Sequence, residues 1–119
     1  MAEHNDLGKE GEKQAAEFLV KAGYTILQKN YVYDKAEIDI LAQKGNVLAV
    51  VEVKTRTTIE FGLPQDFVKP KKMQLMVKAV NEYIIQNDLD LEARFDIIAI
   101  HKSAKGWQIE HLEDAFYHF

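Results

Sequence analysis

One short stretch near the middle of the chain constrains its fold more than any other: an apolar run over residues 47–51 that ends in Glu52, Val53 and Lys54. An almost purely apolar run of this length predicts a β-strand that is buried on both faces. Glu52 and Lys54 are two residues apart, so on a strand their side chains share one face. A carboxylate and an ammonium group at the end of a buried strand are costly to desolvate unless something compensates their charge. The end of this strand is therefore the first candidate functional site.

A second carboxylate, Asp39, is brought next to Glu52 by a predicted hairpin. Gly45 and Asn46 suit a two-residue loop, which would place Asp39 opposite Glu52. A loop one residue earlier would place Asp39 diagonal to Glu52, and a three-residue loop or a bulge would break the pairing. Both two-residue loops put Asp39, Glu52 and Lys54 on one face, because the side-chain period of a strand is two. The two carboxylates repel each other, so Lys54, Lys54 together with a metal ion, or a raised carboxylate pKa must offset that repulsion.

Glu12 is a further candidate, on the predicted first helix. It lies beside the buried stripe of that helix, three residues before Ala15 and seven before Leu19. Gly8 and Gly11 precede it, and each costs about 1 kcal/mol relative to alanine inside a helix. Close approach of the backbone to another element or to a ligand would justify this cost. The alternative is a frayed helix start with an ordinary solvated glutamate.

Seven secondary-structure elements are predicted from the spacing of apolar residues and from turn residues. One helix covers residues 7–22, with Asn5 or Asp6 as its cap, and the other runs from Pro70 to about residue 87. Residues 55–69 form a long connection, and connections of that length are often functional. The order αβββαββ predicts an α/β or α+β sheet flanked by helices. The predicted strands cover residues 24–33, 36–43, 47–54, 93–101 and 107–112.

Composition limits the kind of protein that this chain can form. It has 119 residues, enough for a substantial core, and we expect a single domain over residues 1–119. The absence of cysteine excludes disulfides, thiolate zinc sites and a cysteine nucleophile. The polar, charged start of the sequence argues against a signal peptide, and no apolar run approaches membrane-spanning length. We therefore expect a cytoplasmic protein that does not interact with membranes.

Charge is distributed unevenly along the chain. The net charge of −4 argues mildly against a nucleic-acid partner. Between residues 54 and 78, however, six basic residues stand against two acidic ones, a local charge of +4 that leaves −8 for the rest. Such a basic segment, directly after the acidic pair, would hold a phosphate backbone beside a metal site. The alternative is an ordinary solvated loop and helix start.

The spacing of the candidate residues resembles a known nuclease signature. Asp39, twelve intervening residues and then Glu52-Val53-Lys54 is similar to the PD-(D/E)XK motif, with Ile38 in place of its proline. Further matching segments run in order through nearly the whole chain: Gly8-x-x-Gly11-Glu12, Gly23-Tyr24, Asn30-Tyr31, Glu37-Ile38-Asp39, Val51-Glu52-Val53-Lys54-Thr55-Arg56, Phe61-Gly62, Lys72 and Arg94-Phe95-Asp96. Together they resemble the YraN-like family of small bacterial proteins with a nuclease-type core. One departure is Ala36, where the family usually has glycine.

This resemblance implies a restriction-endonuclease-like domain, similar to archaeal Holliday-junction resolvases, that cleaves DNA with the help of a metal ion. Asp39 and Glu52 would hold Mg²⁺ or Mn²⁺, with the Val53 carbonyl and Glu12 as further ligands. Lys54 would orient the attacking water or stabilise the transition state. Branched or processed DNA is among the implied substrates, and cleavage of two strands would suit a homodimer. The residues expected to contact DNA are Arg56, Lys69, Lys71, Lys72 and Gln74, the last two by meeting phosphate or by positioning Lys54.

Two alternatives to a nuclease stay open at the level of sequence. A non-catalytic nucleic-acid-binding or adaptor protein would keep the fold without turnover, and the acidic net charge favours it over a nuclease. A structural partner-binding domain would use Glu52 and Lys54 as a buried ion pair that needs no cation. The presence of Glu12 and Asp39 beside that pair favours the catalytic interpretation.

Overall fold

The fold is described by a computed structural model, which covers residues 2–57 and 70–115. The element order is αβββαββ, as the sequence predicts. The seven elements are α1 (Ala2–Lys21), β1 (Thr25–Tyr33), β2 (Ala36–Lys44), β3 (Val47–Arg56), α2 (Pro70–Gln86), β4 (Glu92–Ser103) and β5 (Gly106–Leu112). Most of the predicted connection between β3 and α2, including Lys69, lies outside the described residues.

The first helix starts earlier than the sequence predicts. α1 begins at Ala2, so Asn5 and Asp6 lie inside the helix, and the prediction that one of them caps it is wrong. Ala2 and Glu3 are strong helix formers with no glycine or proline after them in the first turn, so helix propensity carries the helix back past residue 5. At the other end, Gly23 has a φ of 100°, the left-handed conformation that commonly follows a helix.

The five strands form one mixed sheet in the order β1-β2-β3-β4-β5. Neighbouring strands are antiparallel except β3 and β4, which are parallel and are joined in the chain through α2. A parallel pair requires a long crossover connection of this kind. Gly45 and Asn46 form the predicted two-residue loop between β2 and β3, because Lys44 pairs with Val47. Gly45 has a φ of 62°, which glycine adopts without steric cost.

One helix covers each face of the sheet. α2 begins at Pro70, as predicted, and packs on the face that carries Leu48 and Val50. α1 packs on the opposite face, which carries Ala49 and Val51. The apolar run of β3 is therefore buried on both faces, as its composition predicts. Because side chains alternate along β3, Glu52 lies on the face that α2 covers.

One fully buried carboxylate is satisfied within the fold itself. Asp96, in β4, accepts hydrogen bonds from Arg94 and from the backbone N–H of Asp114, and lies 2.8 Å from Nε2 of His111. Burial alone would raise the pKa of Asp96, but these hydrogen bonds hold the pKa below its usual value. Asp96 therefore joins β4 to β5 and to the segment after β5, and it has a structural role.

The architecture of a five-stranded mixed sheet between two helices is consistent with the restriction-endonuclease-like fold that the resemblance implies. Within residues 2–57 and 70–115, neither helix is long and apolar enough to cross a membrane. β3 carries Glu52 to the edge of the core, so the candidate site lies where the packed part of the sheet ends.

Candidate active site

A cleft of about 550 Å³ opens where the pairing of β2 and β3 ends. Paired residues of these strands run from Lys44–Val47 to Ile40–Val51, and Asp39 and Glu52 come directly after the last pair. The cleft is bounded by both strands and both helices, and all four residues predicted to be catalytic line it. Its lining residues are Leu7, Gly8, Glu12, Lys35, Ala36, Glu37, Asp39, Glu52, Val53, Lys54, Thr55, Arg56, Lys72, Leu75 and Met76.

Asp39 reaches the cleft through a local irregularity in β2. Its Oδ2 accepts a hydrogen bond of 2.8 Å from the backbone N–H of Val53, where a carbonyl of the neighbouring strand would accept in a regular sheet. Ile38 packs on the α2 face and Ile40 on the α1 face, so the alternation of side chains breaks at Asp39. The prediction that side chains alternate regularly along β2 is therefore wrong at this residue. Asp39 and Glu52 nevertheless line the same cleft.

Glu52 is buried, with 4 % of its surface exposed, and two lysines neutralise it. Nζ of Lys72, on α2, lies 2.7 Å from Oε2 of Glu52. Nζ of Lys54 lies 3.2 Å from the same oxygen. Removing a carboxylate from water in this way requires such partners. The sequence predicts the pairing of Glu52 with Lys54. It does not predict the contact with Lys72, which was expected to meet phosphate or to position Lys54.

Asp39 ionises less readily than an ordinary aspartate. Burial, followed by the negative charge of Glu52, raises the pKa of Asp39 to about 7. The Val53 N–H and the Lys72 ammonium lower the pKa of Asp39 without cancelling this effect. A raised carboxylate pKa is one of the three ways in which the sequence predicts that the repulsion between Asp39 and Glu52 is offset, and it operates in the metal-free protein.

The raised pKa of Asp39 should make the metal-free protein less stable as the pH rises. The folded-state pKa of about 7 exceeds the ordinary value of 3.8, so the folded state holds an extra proton between these values. The resulting stabilisation is complete below the ordinary pKa and is lost as the pH rises through the folded-state pKa. Between these two pKa values the free energy of unfolding falls by about 1.4 kcal/mol per pH unit. Asp39→Asn keeps an acceptor for the Val53 N–H and removes the titrating group. Urea unfolding of both proteins in EDTA, from pH 4 to pH 8, should show a steeper loss in the wild type, and equal slopes would contradict the raised pKa.

Gly11 brings α1 into direct contact with β3. A Cβ atom placed on Gly11 would overlap Oγ1 of Thr55 and lie 3.0 Å from both Cβ and Cγ2 of that residue. A Cβ atom on Gly8 would meet no described atom within 4 Å. Close approach to another element therefore explains Gly11 and does not explain Gly8. The contact holds α1 against the end of β3, and the next residue, Glu12, lines the cleft.

Alanine at these two glycines should have opposite effects on stability. Gly8→Ala gains about 0.5–1 kcal/mol of helix propensity without a clash. Gly11→Ala gains the same propensity but forces α1 and Thr55 apart, so we expect a net loss of about 1–3 kcal/mol, the scale for overpacking. Urea unfolding measures both variants. A Gly11→Ala protein as stable as Gly8→Ala would contradict the close contact between α1 and β3.

The residues predicted to contact DNA divide between the cleft and the surface. Arg56 and Lys72 line the cleft, and Nη1 of Arg56 donates to the Thr55 carbonyl at 2.9 Å. Lys71 and Gln74 are exposed on α2 and are not among the lining residues. Lys69 lies outside the part of the chain that the structure describes.

Three polar lining residues received no role in the sequence analysis: Lys35, Glu37 and Thr55. Glu37 and Thr55 belong to the segments that carry the family resemblance, and this membership could have identified them as candidates. Lys35 precedes β2 in the turn after β1, and nothing in its local sequence distinguishes it from other exposed lysines. The cleft is therefore richer in charge than the motif residues alone indicate.

The oxygen donors of the cleft fit a hard divalent cation that keeps much of its water. Asp39 and Glu52 supply carboxylates, and the Val53 carbonyl should lie on the same edge of β3 as the Val53 N–H, which faces Asp39. Mg²⁺ is typically held by one or two carboxylates and retains several waters. Across residues 2–57 and 70–115, no three His, Cys, Asp or Glu side chains form a metal-binding group, so Glu12 does not complete a preformed cluster.

Comparison with protein families and with individual relatives identifies the family of this chain. The α/β architecture is consistent with a restriction-endonuclease-like fold. The family profile described as "Uncharacterised protein family UPF0102" matches residues 11–100. A UPF0102 protein of Flavobacterium psychrophilum is 69 % identical over 119 residues, which are 100 % of both chains, and one of Phocaeicola vulgatus is 44 % identical over 117 residues, 98 % of this chain and 97 % of the relative. The chain belongs to the UPF0102 family, also called the YraN family, which confirms the family resemblance seen in the sequence.

Proposed function

We propose that this protein, with residues 1–119 as one nuclease-like domain, is a metal-dependent endonuclease that hydrolyses phosphodiester bonds in DNA. The observation that carries the proposal is the cleft in which Asp39 and Glu52 lie with Lys54 and Lys72 at the end of a buried strand. Apolar residues in place of such buried charges are often neutral or stabilising, so stability alone does not account for them. The PD-(D/E)XK resemblance of Asp39, Glu52 and Lys54 supports the same conclusion.

The carboxylates of the cleft would hold the metal. Asp39 and Glu52 would bind Mg²⁺ or Mn²⁺, with the Val53 carbonyl as a third donor and Glu12 acting through a water molecule. When bound, the ion would supply positive charge that stabilises the scissile phosphate and lowers the pKa of a water molecule. The repulsion that helps to raise the pKa of Asp39 would then be relieved.

The basic residues of the cleft would act on the DNA phosphate. The Lys54 side chain is 20 % exposed and lies beside Glu52, where its ammonium would orient the attacking water or stabilise the transition state. Arg56 lines the cleft two residues farther along β3 and would contact the same phosphate. Lys71 and Gln74 lie on the exposed side of α2, so flanking phosphates suit them better than the scissile one, and we propose the same for Lys69.

A non-catalytic nucleic-acid-binding or adaptor protein is the second candidate, and one contact favours it. Lys54 and Lys72 both meet the same oxygen of Glu52, so this carboxylate is neutralised without any metal ion. A protein with such a cleft would keep the fold and a phosphate-binding surface after it had lost catalytic activity. The two candidates agree on DNA binding and differ in cleavage.

A cleavage assay separates these two candidates. The purified protein should cleave at least one of linear, flapped and four-way DNA in Mg²⁺ or Mn²⁺, and EDTA should stop the reaction. DNA binding without cleavage of any of these substrates would favour the non-catalytic candidate. Light scattering on the same preparation, with and without DNA, tests the homodimer that cleavage of two strands would suit.

Binding to DNA should weaken steeply as salt rises, because phosphate contacts release counterions. Charge reversal of Lys69, Lys71 and Lys72 together should remove up to about three phosphate contacts and flatten the salt dependence accordingly. Anisotropy titrations between about 50 and 200 mM salt measure the slope. The matched control reverses the exposed residues Lys13, Lys21 and Lys105, which carry the same total charge away from the cleft. No DNA binding at low salt with metal present would favour a partner-binding domain instead.

A further inference from the structure

Lys72 lies where a cation would have to approach Glu52. Its Nζ is 2.7 Å from Oε2 of Glu52, nearer than Nζ of Lys54 at 3.2 Å. The Glu52 side chain is only 5 % exposed, so few directions of approach remain open to a third cation. A metal ion bound by this oxygen must therefore take the place of at least one ammonium group.

The two lysines differ in their freedom to leave. Lys54 is on the same strand as Glu52, and its side chain is 20 % exposed. Lys72 comes from α2, and its side chain is 42 % exposed, so its ammonium can move into solvent without moving the backbone. Lys72 is therefore the cation that a metal ion would displace.

We propose that Lys72 is a built-in counter-ion that competes with the divalent metal for Glu52, and that metal binding frees its ammonium group to bind a DNA phosphate. This proposal rests on the proposed nuclease function and adds how the site is loaded. Without metal, Lys72 neutralises Glu52. With metal, like charge repels the ammonium toward the open side of the cleft, where a phosphate offers a new partner. Metal and DNA should then each strengthen the binding of the other, since coupling between two ligands is reciprocal.

Calorimetric titration of Mn²⁺ alone, without DNA, tests the competition directly. Lys72→Met keeps the apolar stem and removes the ammonium, so Mn²⁺ should bind about tenfold more tightly, the scale for losing one charge-assisted hydrogen bond. Lys72→Arg keeps the charge and should bind Mn²⁺ no more tightly than the wild type does. Lys78→Met is the matched control, because it removes the same charge from a 64 % exposed position on the same helix, and it should leave the affinity unchanged.

DNA binding tests the release of the ammonium group. Both ammonium groups must be present for this test, so Lys54 is left intact. DNA affinity is measured with Mn²⁺ and with EDTA, on DNA whose hydrolysis-resistant phosphorothioate linkages prevent cleavage. Mn²⁺ should raise the affinity several-fold more when Lys72 is present than in the Lys72→Met protein. An equal enhancement in both proteins would overturn the coupling.

The outcomes distinguish this proposal from the nuclease proposal. Mn²⁺ binding by Lys72→Met that is no tighter than wild-type binding would overturn the role of Lys72, and wild-type cleavage would still stand. If Lys72→Met fails to fold in a thermal melt, Lys72→Arg decides, because tighter Mn²⁺ binding by the arginine variant would overturn the competition. The absence of Mn²⁺ binding in every variant would overturn both proposals.

Discussion

Replacing Lys54 with alanine is expected to lower the rate of DNA cleavage by about 10²-fold or more, the scale for losing one preorganised electrostatic group. Its ammonium lies 3.2 Å from Glu52 in the cleft that would hold the scissile phosphate. Because that phosphate carries extra negative charge in the transition state, the loss should slow cleavage more than it weakens DNA binding. Folding and metal binding should survive, since Lys72 still neutralises Glu52 and both carboxylates remain.

Single-turnover cleavage, DNA affinity and thermal unfolding together measure this effect. Lys35→Ala is the matched control, because Lys35 lines the same cleft but is exposed and is not one of the two described ion-pair partners of Glu52. Removing Lys35 should change the rate by much less. Cleavage that persists undiminished in Lys54→Ala would point to a contaminating nuclease or to another active site, and the role assigned to Lys54 would be wrong.

Asp39→Asn and Glu52→Gln should each weaken Mn²⁺ binding by at least about 10–100-fold, the range seen when groups that merely support metal ligands are removed. Both changes preserve the size of the side chain and remove an anionic oxygen donor. In Asp39→Asn the Val53 N–H keeps an acceptor, so the local backbone should be undisturbed. In Glu52→Gln the ammonium groups of Lys54 and Lys72 lose their counter-charge and repel the metal ion. Glu52→Gln should therefore show the larger loss.

Calorimetry with Mn²⁺ measures these affinities. Glu37→Gln is the matched control, because Glu37 lines the cleft but is exposed and pairs with Val32 of β1. The Mn²⁺ affinity of this variant should differ from that of the wild type by less than about threefold. Without metal, Asp39→Asn should be more stable than the wild type at pH 8, because the repulsion between two carboxylates is gone. Unchanged Mn²⁺ binding in both carboxylate variants would remove the proposed metal site.

Local signals in the sequence were sufficient to predict the order of the elements. The apolar run of β3 and the glycine of the β2–β3 loop each act over a few residues, and the structure contains both as predicted. The break in alternation at Asp39 could not be predicted in this way. Ile38 and Ile40 are both apolar and both fully buried, so in a strand covered on both faces the sequence pattern does not distinguish one face from the other.

Contacts between elements that are distant in the chain could not be predicted from the sequence. Glu52 and Lys54 are two residues apart on one strand, and strand geometry alone brings them together. Lys72 reaches Glu52 from a helix on the far side of a long connection, and the rotation of that helix about its axis depends on how the whole core packs. The two glycines of α1 indicated a close contact, but only the packed structure shows that Gly11 makes it, with Thr55 as its partner.

If the proposed function is correct, metal-dependent cleavage of DNA arises from the carboxylates of this cleft. A cleavage assay in Mn²⁺ on linear, flapped and four-way DNA compares three identically purified proteins: the wild type, the double variant Asp39→Asn with Glu52→Gln, and Glu37→Gln. We expect the wild type and Glu37→Gln to cleave at least one of these substrates, the double variant to cleave none, and EDTA to abolish all cleavage. Equal cleavage by the double variant, or no cleavage by the wild type on any of the three substrates, would contradict the claim.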